Sequence, residues 1–75
     1  MTSKEQLGMR IRFLRVSRKW SQEDLSLEAN INKNYICDLE NGKRNPSLEI
    51  LERLADAFRI SLEELFKGIE TIPGI

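Results

Sequence analysis

Apolar residues along this chain fall at spacings of three and four, the period of helices with one buried face. Leu7, Ile11 and Leu14 make one such stripe and predict a first helix over residues 4–18. Phe13 and Val16 lie off that stripe, Met9 and Trp20 join them, and some of the four are expected to pack on the last helix or the tail. Leu25 and Ala29 share a face in a second helix over residues 22–29, opened by Ser21 with Asp24 three positions on, as in a capping box. The segment Asn30-Ile31-Asn32 then reads as a turn. Asn30 tolerates the left-handed conformation that ends a helix, Ile31 packs inward, and Asn32 caps a third helix running to about Asn41. Tyr35, Ile36 and Leu39 mark its inner side, leaving Lys33, Asn34, Cys37 and Asp38 facing outward or to the flank. Gly42 closes that helix, and Pro46 fixes the chain before a fourth. Ser47 caps the fourth helix, which reaches Phe58 with Leu48, Leu51, Leu54, Ala55 and Phe58 inside. Ser61 with Glu64 opens a fifth helix over residues 62–67. Lys19 lies in the link before the second helix, where holding a lysine in the left-handed region would cost about 1 kcal/mol.

Two short helices joined by a three-residue turn form the helix-turn-helix plan, which sets its second helix against DNA. Gln22, Leu25, Ala29, Ile31, Tyr35, Ile36, Glu40, Gly42, Arg44 and Pro46 carry a pattern that resembles the Cro/CI-type, or XRE-type, family, over Leu7 to Phe66. The run YICDLENGKRNPSLEILERLADAF is similar to the controller proteins of restriction–modification systems. The resemblance implies an all-α, compact five-helix lambda-repressor-like domain over residues 1–68, with dimerisation helices four and five, and a short tail over 69–75. It also implies roles for residues. Gln22 hydrogen-bonds a DNA phosphate, beside the free backbone N–H groups of a helix N-terminus. Arg15 pairs with Glu40, its planar fork holding a carboxylate in a fixed orientation. Lys33, Asn34 and Asp38 project into the major groove, where Lys donates to guanine, Asn pairs with adenine or meets a phosphate, and Asp accepts from cytosine N4. Cys37 adds a small contact beside them.

Other assignments come from residue chemistry. Lys43 and Arg44 sit in a glycine-containing turn at the foot of the third helix, which suits phosphate contacts, with Asn41 and Asn45 behind them. Tyr35 offers a core ring and a hydroxyl that can reach a phosphate. Glu23, Asp24 and Glu28 form an acidic group. They suit the positive end of a helix dipole, and in some relatives such residues touch RNA polymerase.

Composition changes the picture in two ways. Twelve basic and twelve acidic residues give zero net charge, which argues against a nucleic-acid partner until the distribution is considered. Residues 1–20 carry six basic side chains against one acidic; residues 21–45 are net −2 and residues 46–75 net −3. A basic front and acidic back suit a protein that meets phosphate on one side, although a solvated helix surface gives the same pattern. Second, 75 residues with one cysteine and no histidine can form neither an internal disulfide nor a zinc site. Stability then rests on helix packing or a partner chain. No cofactor, metal or small-molecule ligand is expected, and no constellation of catalytic side chains is present. With no membrane span or signal peptide in the sequence, a cytoplasmic location is expected.

Large apolar residues crowd the last third of the chain. Ile50, Phe58, Ile60, Leu62, Leu65 and Phe66 exceed what so small a domain is expected to bury, together with Ile69, Ile72 and Ile75, and they predict a twofold dimer interface. The resulting expectation is a homodimeric, sequence-specific regulator on a near-palindromic double-stranded DNA operator. As a controller it would activate and then repress its own operon and an endonuclease gene. Three alternatives share the pattern: a phage-type repressor, an antitoxin-like autoregulator using the apolar tail IETIPGI, and a protein-interaction module that does not bind DNA.

Overall fold

The computed structural model describes residues 1–69. Five helices and no strand lie among them: α1 (Ser3–Ser17), α2 (Gln22–Ala29), α3 (Lys33–Glu40), α4 (Leu48–Phe58) and α5 (Leu62–Leu65). Each start is fixed by a polar side chain. Thr2 and Ser21 make complete capping boxes with Glu5 and Asp24. Asn32, Ser47 and Ser61 accept from backbone N–H groups of the first turns of α3, α4 and α5. The expected Ser61–Glu64 box is only half formed. Ser61 Oγ accepts from Glu64 N at 3.0 Å, but the Glu64 carboxylate lies 3.6 Å from Arg10 on α1. The fifth helix is also two residues shorter than expected, and the chain turns at Gly68 with φ +84°.

One core joins all five helices. Leu7, Ile11 and Leu14 of α1 meet Leu25, Ile36, Leu39, Leu54, Phe58 and Leu65. The point of closest approach is between α1 and α3. A Cβ on Gly8 would lie 2.5 Å from the Leu39 carbonyl oxygen and 2.7 Å from that of Glu40, so only glycine lets these backbones touch. Gly42 carries two constraints at once: φ is +72°, and a Cβ would sit 2.9 Å from Glu5 Cγ.

Three arginines fasten helix ends. Arg18 donates to the Leu14 and Phe58 carbonyls, while its guanidinium lies over the Phe58 ring at 4.9 Å. Arg10 donates to the Glu64 carbonyl at 2.8 Å. Arg53 donates to the Asn30 carbonyl at 3.1 Å and holds the α2–α3 turn against α4. Cations at helix C-termini satisfy orphan carbonyls and complement the dipole.

The packing revises several expectations. Phe58 is buried, with Trp20 stacked on it at 5.8 Å between ring centroids and Arg18 across it. Leu65 is also buried, closing the base of the core. Neither can offer surface to a second chain, so both leave the dimer set. The others do not form one patch: Ile60 and Leu62 line a groove between α4 and α5, whereas Phe66 faces Leu7, Pro46 and Leu51. Leu48, expected inside, is exposed, as is Leu27. The exposed apolar stripe lies instead on α1. Met9, Phe13 and Val16 stand opposite Ile11, and none is covered by the last helix. Residues 70–75, with Ile72, Ile75 and most of the IETIPGI tail, lie outside the described residues.

Candidate nucleic-acid interface

The outer face of α3 follows from what its inner face must bury. Ile36 and Leu39 lie in the core, so residues a half-turn away point to solvent. Lys33, Asn34 and Asn41 are exposed there, with Cys37 and Asp38 half-buried between them. These include all four residues expected to reach base edges. The preceding turn adopts the expected form: Asn30 is left-handed at φ 54°, Ile31 is buried, and Asn32 Oδ1 accepts from Asn34 N at 2.7 Å.

A buried polar joint fixes the orientation of α3. Arg15 Nε and Nη2 donate to the two Glu40 oxygens at 2.7 and 3.0 Å, a bidentate pair. Its remaining Nη1 donates to the Trp20 carbonyl at 2.7 Å. Gln22 Nε2 adds a third donor to Glu40 at 3.2 Å. Four segments therefore meet at the Arg15–Glu40 pair: α1, the α1–α2 link, α2 and α3. The side chains retain only 12% and 4% exposure, so water competes weakly for these bonds. Hydrogen bonding to Glu40 raises the Arg15 pKa above its ordinary value. Removing one partner of such a pair costs about 3–5 kcal/mol. Gln22, expected on a phosphate, is thus already engaged, although its amide has a second N–H to offer.

The foot of α3 ends in a Schellman turn. Lys43 N donates to the Asp38 carbonyl at 2.9 Å and Gly42 N to the Leu39 carbonyl at 3.1 Å, with Gly42 left-handed. This turn folds the chain back along the helix and returns Arg44 beside Asp38. Arg44 Nε lies 3.2 Å from Asp38 Oδ2, and its guanidinium sits 4.9 Å from the centroid of the Tyr35 ring. Tyr35 and Asp38, three residues apart, share one side of the helix. Residues expected to act separately on a base, a phosphate and the core therefore form one exposed cluster. Side-chain exposures of 49% for Arg44 and 37% for Asp38 keep the ion pair weak, within roughly 0.2–1 kcal/mol.

The charge reading needs a matching revision. Of the six basic residues in the first twenty, Arg10, Arg15 and Arg18 bind protein groups. With Arg44 on Asp38, Lys33 and Lys43 are the cations of the α3 region without an ion-pair partner among the described residues. Asn41 Nδ2 lies 3.7 Å from Cys37 Sγ, and Asn45 is exposed beyond the turn. In the acidic group, Asp24 Oδ2 accepts the Ser21 N–H at 2.8 Å, while Glu23 and Glu28 are exposed. Sequence reasoning missed Arg10, Arg18 and Arg53. Their signal would have been an arginine positioned to reach the carbonyl end of another helix, and that needs the packing angle.

A helix-turn-helix family model matches residues 11–65. The chain is 41% identical over 61 residues to the HTH-type transcriptional regulator DdrOP3 of Deinococcus deserti, covering 81% of this chain and 47% of that protein. It is 42% identical over 50 residues to the control protein C.MunI of a Mycoplasma species, covering 67% and 68% of the two chains. The crystal structure of the restriction–modification controller protein C.AhdI from Aeromonas hydrophila matches with a TM-score of 0.81 at 36% identity, over 84% of this chain and 96% of that one. The chain spans about half the length of DdrOP3 and of two other curated relatives.

Proposed function

The chain belongs to the XRE-type helix-turn-helix family of transcriptional regulators, and on that premise we propose that it binds a near-palindromic double-stranded DNA operator as a homodimer. The observation that carries this reading is the pairing of an exposed polar face on α3 with a buried joint behind it. Lys33, Asn34, Cys37 and Asp38 stand on a helix whose orientation is set by Arg15, Gln22 and Glu40. A reading helix must hold its angle in the groove to within a fraction of a base step, and a buried bidentate pair provides that stiffness. Lys33, Asn34 and Asp38 read base edges. Gln22, Lys43, Arg44, Asn41 and Asn45 position the protein on phosphate, with Tyr35 beneath Arg44.

Two copies related by a twofold axis would place their α3 helices in successive major grooves, about 34 Å apart. The contact proposed for that axis is the α4–α5 groove at Ile60 and Leu62, with Ile50 and Phe66 on flanking surfaces. Leu62→Glu should give monomers on sedimentation with an unchanged helical spectrum. A dimer that persists would move the axis elsewhere.

We assign the regulator to control of a restriction–modification operon, by likeness to C.MunI and C.AhdI, in the cytoplasm, with Glu23 and Glu28 as the surface for RNA polymerase. No activity beyond binding is needed for this role. A footprinting titration on the DNA upstream of its own gene, with transcription read in parallel, tests it. Two adjacent twofold sites filled in order, with activation and then repression, are expected. One site with repression alone would indicate a plain repressor of phage type. No protection would remove the DNA-binding reading and leave an interaction module.

A further inference from the structure

We propose that the Asp38–Arg44 pair is a specificity latch, in which a base contact by Asp38 releases Arg44 to the DNA backbone. The inference rests on the DNA-binding reading above and adds a coupling between two residues that the reading treats separately.

Three observations lead to it. The pair is closed in the DNA-free chain, with Arg44 Nε 3.2 Å from Asp38 Oδ2. Both groups lie at the surface, on and just below the face of α3 that would enter the groove. The Tyr35 ring supports the guanidinium from below, so Arg44 keeps a platform when the carboxylate lets go. The Schellman turn at Gly42 fixes the stem of Arg44, so opening requires only side-chain rotation.

The chemistry sets the direction of the coupling. A carboxylate in the major groove meets mostly acceptors and a negative potential, so Asp38 is destabilised there unless a donor faces it. On mismatched DNA the available donor is Arg44. The pair stays closed, and the guanidinium is withheld from phosphate. Where a base presents an amino group, cytosine N4 or adenine N6, turning the Asp38 carboxylate to accept from it breaks the single bond to Oδ2 and frees Arg44 for a charge-assisted bond to phosphate. Asp38 thereby converts one base contact into an additional phosphate contact, and mismatched DNA forfeits both.

Salt titrations of Asp38→Asn, Arg44→Ala and the double variant test this on two probes: a duplex spanning the protected site and the same duplex with its sequence shuffled. Asp38 is half-buried and Arg44 exposed, and their ion pair is weak, so the variants should melt close to the parent chain. Asp38→Asn should bind the shuffled duplex about three- to tenfold more tightly, with the log–log salt slope steeper by about 0.9 per protomer, as for one added phosphate contact. Its ratio of site to shuffled affinity should fall by about tenfold or more. In the Arg44→Ala background, Asp38→Asn should give a smaller gain in shuffled affinity and a smaller change of slope, because only charge repulsion is removed and no guanidinium is released. A loss of affinity equal on both duplexes, or the same gain with Arg44 absent, would overturn the latch. Failure of the parent chain to bind either duplex would instead remove the DNA-binding reading itself.

Discussion

The molecule contains two arginine–carboxylate pairs on the same helix, and they behave as opposites. Glu40, on the inner flank of α3, holds Arg15 with two short bonds and takes a third from Gln22. Asp38, half a turn earlier, holds Arg44 through one bond at 3.2 Å in open solvent. The chemistry is the same and the surroundings are not. Around Glu40, water is excluded, so a missing partner leaves a desolvated charge and the pair acts as a rivet. Around Asp38, water replaces either partner at small cost, so the pair can open. Burial, rather than residue type, separates a structural ion pair from one available for binding.

The largest effect should come from breaking the buried pair. Glu40→Ala should cost about 3–5 kcal/mol, because Arg15 is left buried and charged with its main partner gone. Thermal melting should then shift down by well over 10 °C, at about 4–8 °C per kcal/mol for a domain of this size. A small shift would mean that the Trp20 carbonyl and water satisfy Arg15 alone, and the contrast with Asp38 would collapse. Gly8→Ala comes next. Its methyl would strike the Leu39 and Glu40 carbonyls, pushing α1 from α3 and stretching the pair at Arg15, for about 1–3 kcal/mol of the overpacking kind. Chemical denaturation of that variant, alone and combined with Glu40→Ala, sharpens the comparison. Non-additive costs are expected if Gly8 acts through the joint.

Asp38→Ala should change stability by no more than about 1 kcal/mol in the same denaturation assay. A larger loss would class it with Glu40. The smallest effect concerns a third carboxylate, fully exposed. The Thr2 backbone N–H and hydroxyl hold Glu5 below the usual carboxylate pKa. Its contribution is therefore complete above the unfolded value of about 4.3 and fades as pH falls through the lower folded value. The protection of the Glu5 amide relative to an unfolded chain at the same pH should fall over that acid range, while the α3 amides remain protected.

Much of this arrangement was readable along the chain. Ser21, Asn32, Ser47 and Gly42 announce helix ends by chemistry that acts within a few residues. The left-handed Asn30 follows from the same local chemistry, whereas Lys19, also left-handed, carries no such signal. The outward face of α3 follows from helical period once Ile36 and Leu39 are inside. The partners of those outward residues were less legible. Asp38 and Arg44 are six positions apart across a turn, and only the path of that turn brings them together. Two members of the dimer set dropped out for a related reason. Phe58 and Leu65 look surplus in a linear count of apolar residues, yet Trp20 and Arg18 cover the first, and the second closes the core. Meanwhile Met9, Phe13 and Val16, which looked like packing residues, remain uncovered on α1.

The sequence by itself determined the helices, their caps, the turn between α2 and α3, and the outward face of α3. Each depends on interactions within one or two helical turns, where covalent geometry leaves few choices. The tertiary structure decided which arginines bind protein groups and which cations face outward. It also decided which apolar residues are buried and which carboxylate can exchange its partner. Those outcomes depend on distances between segments remote in sequence and on how much water reaches them. Neither is written in spacing, because both arise only when the helices pack.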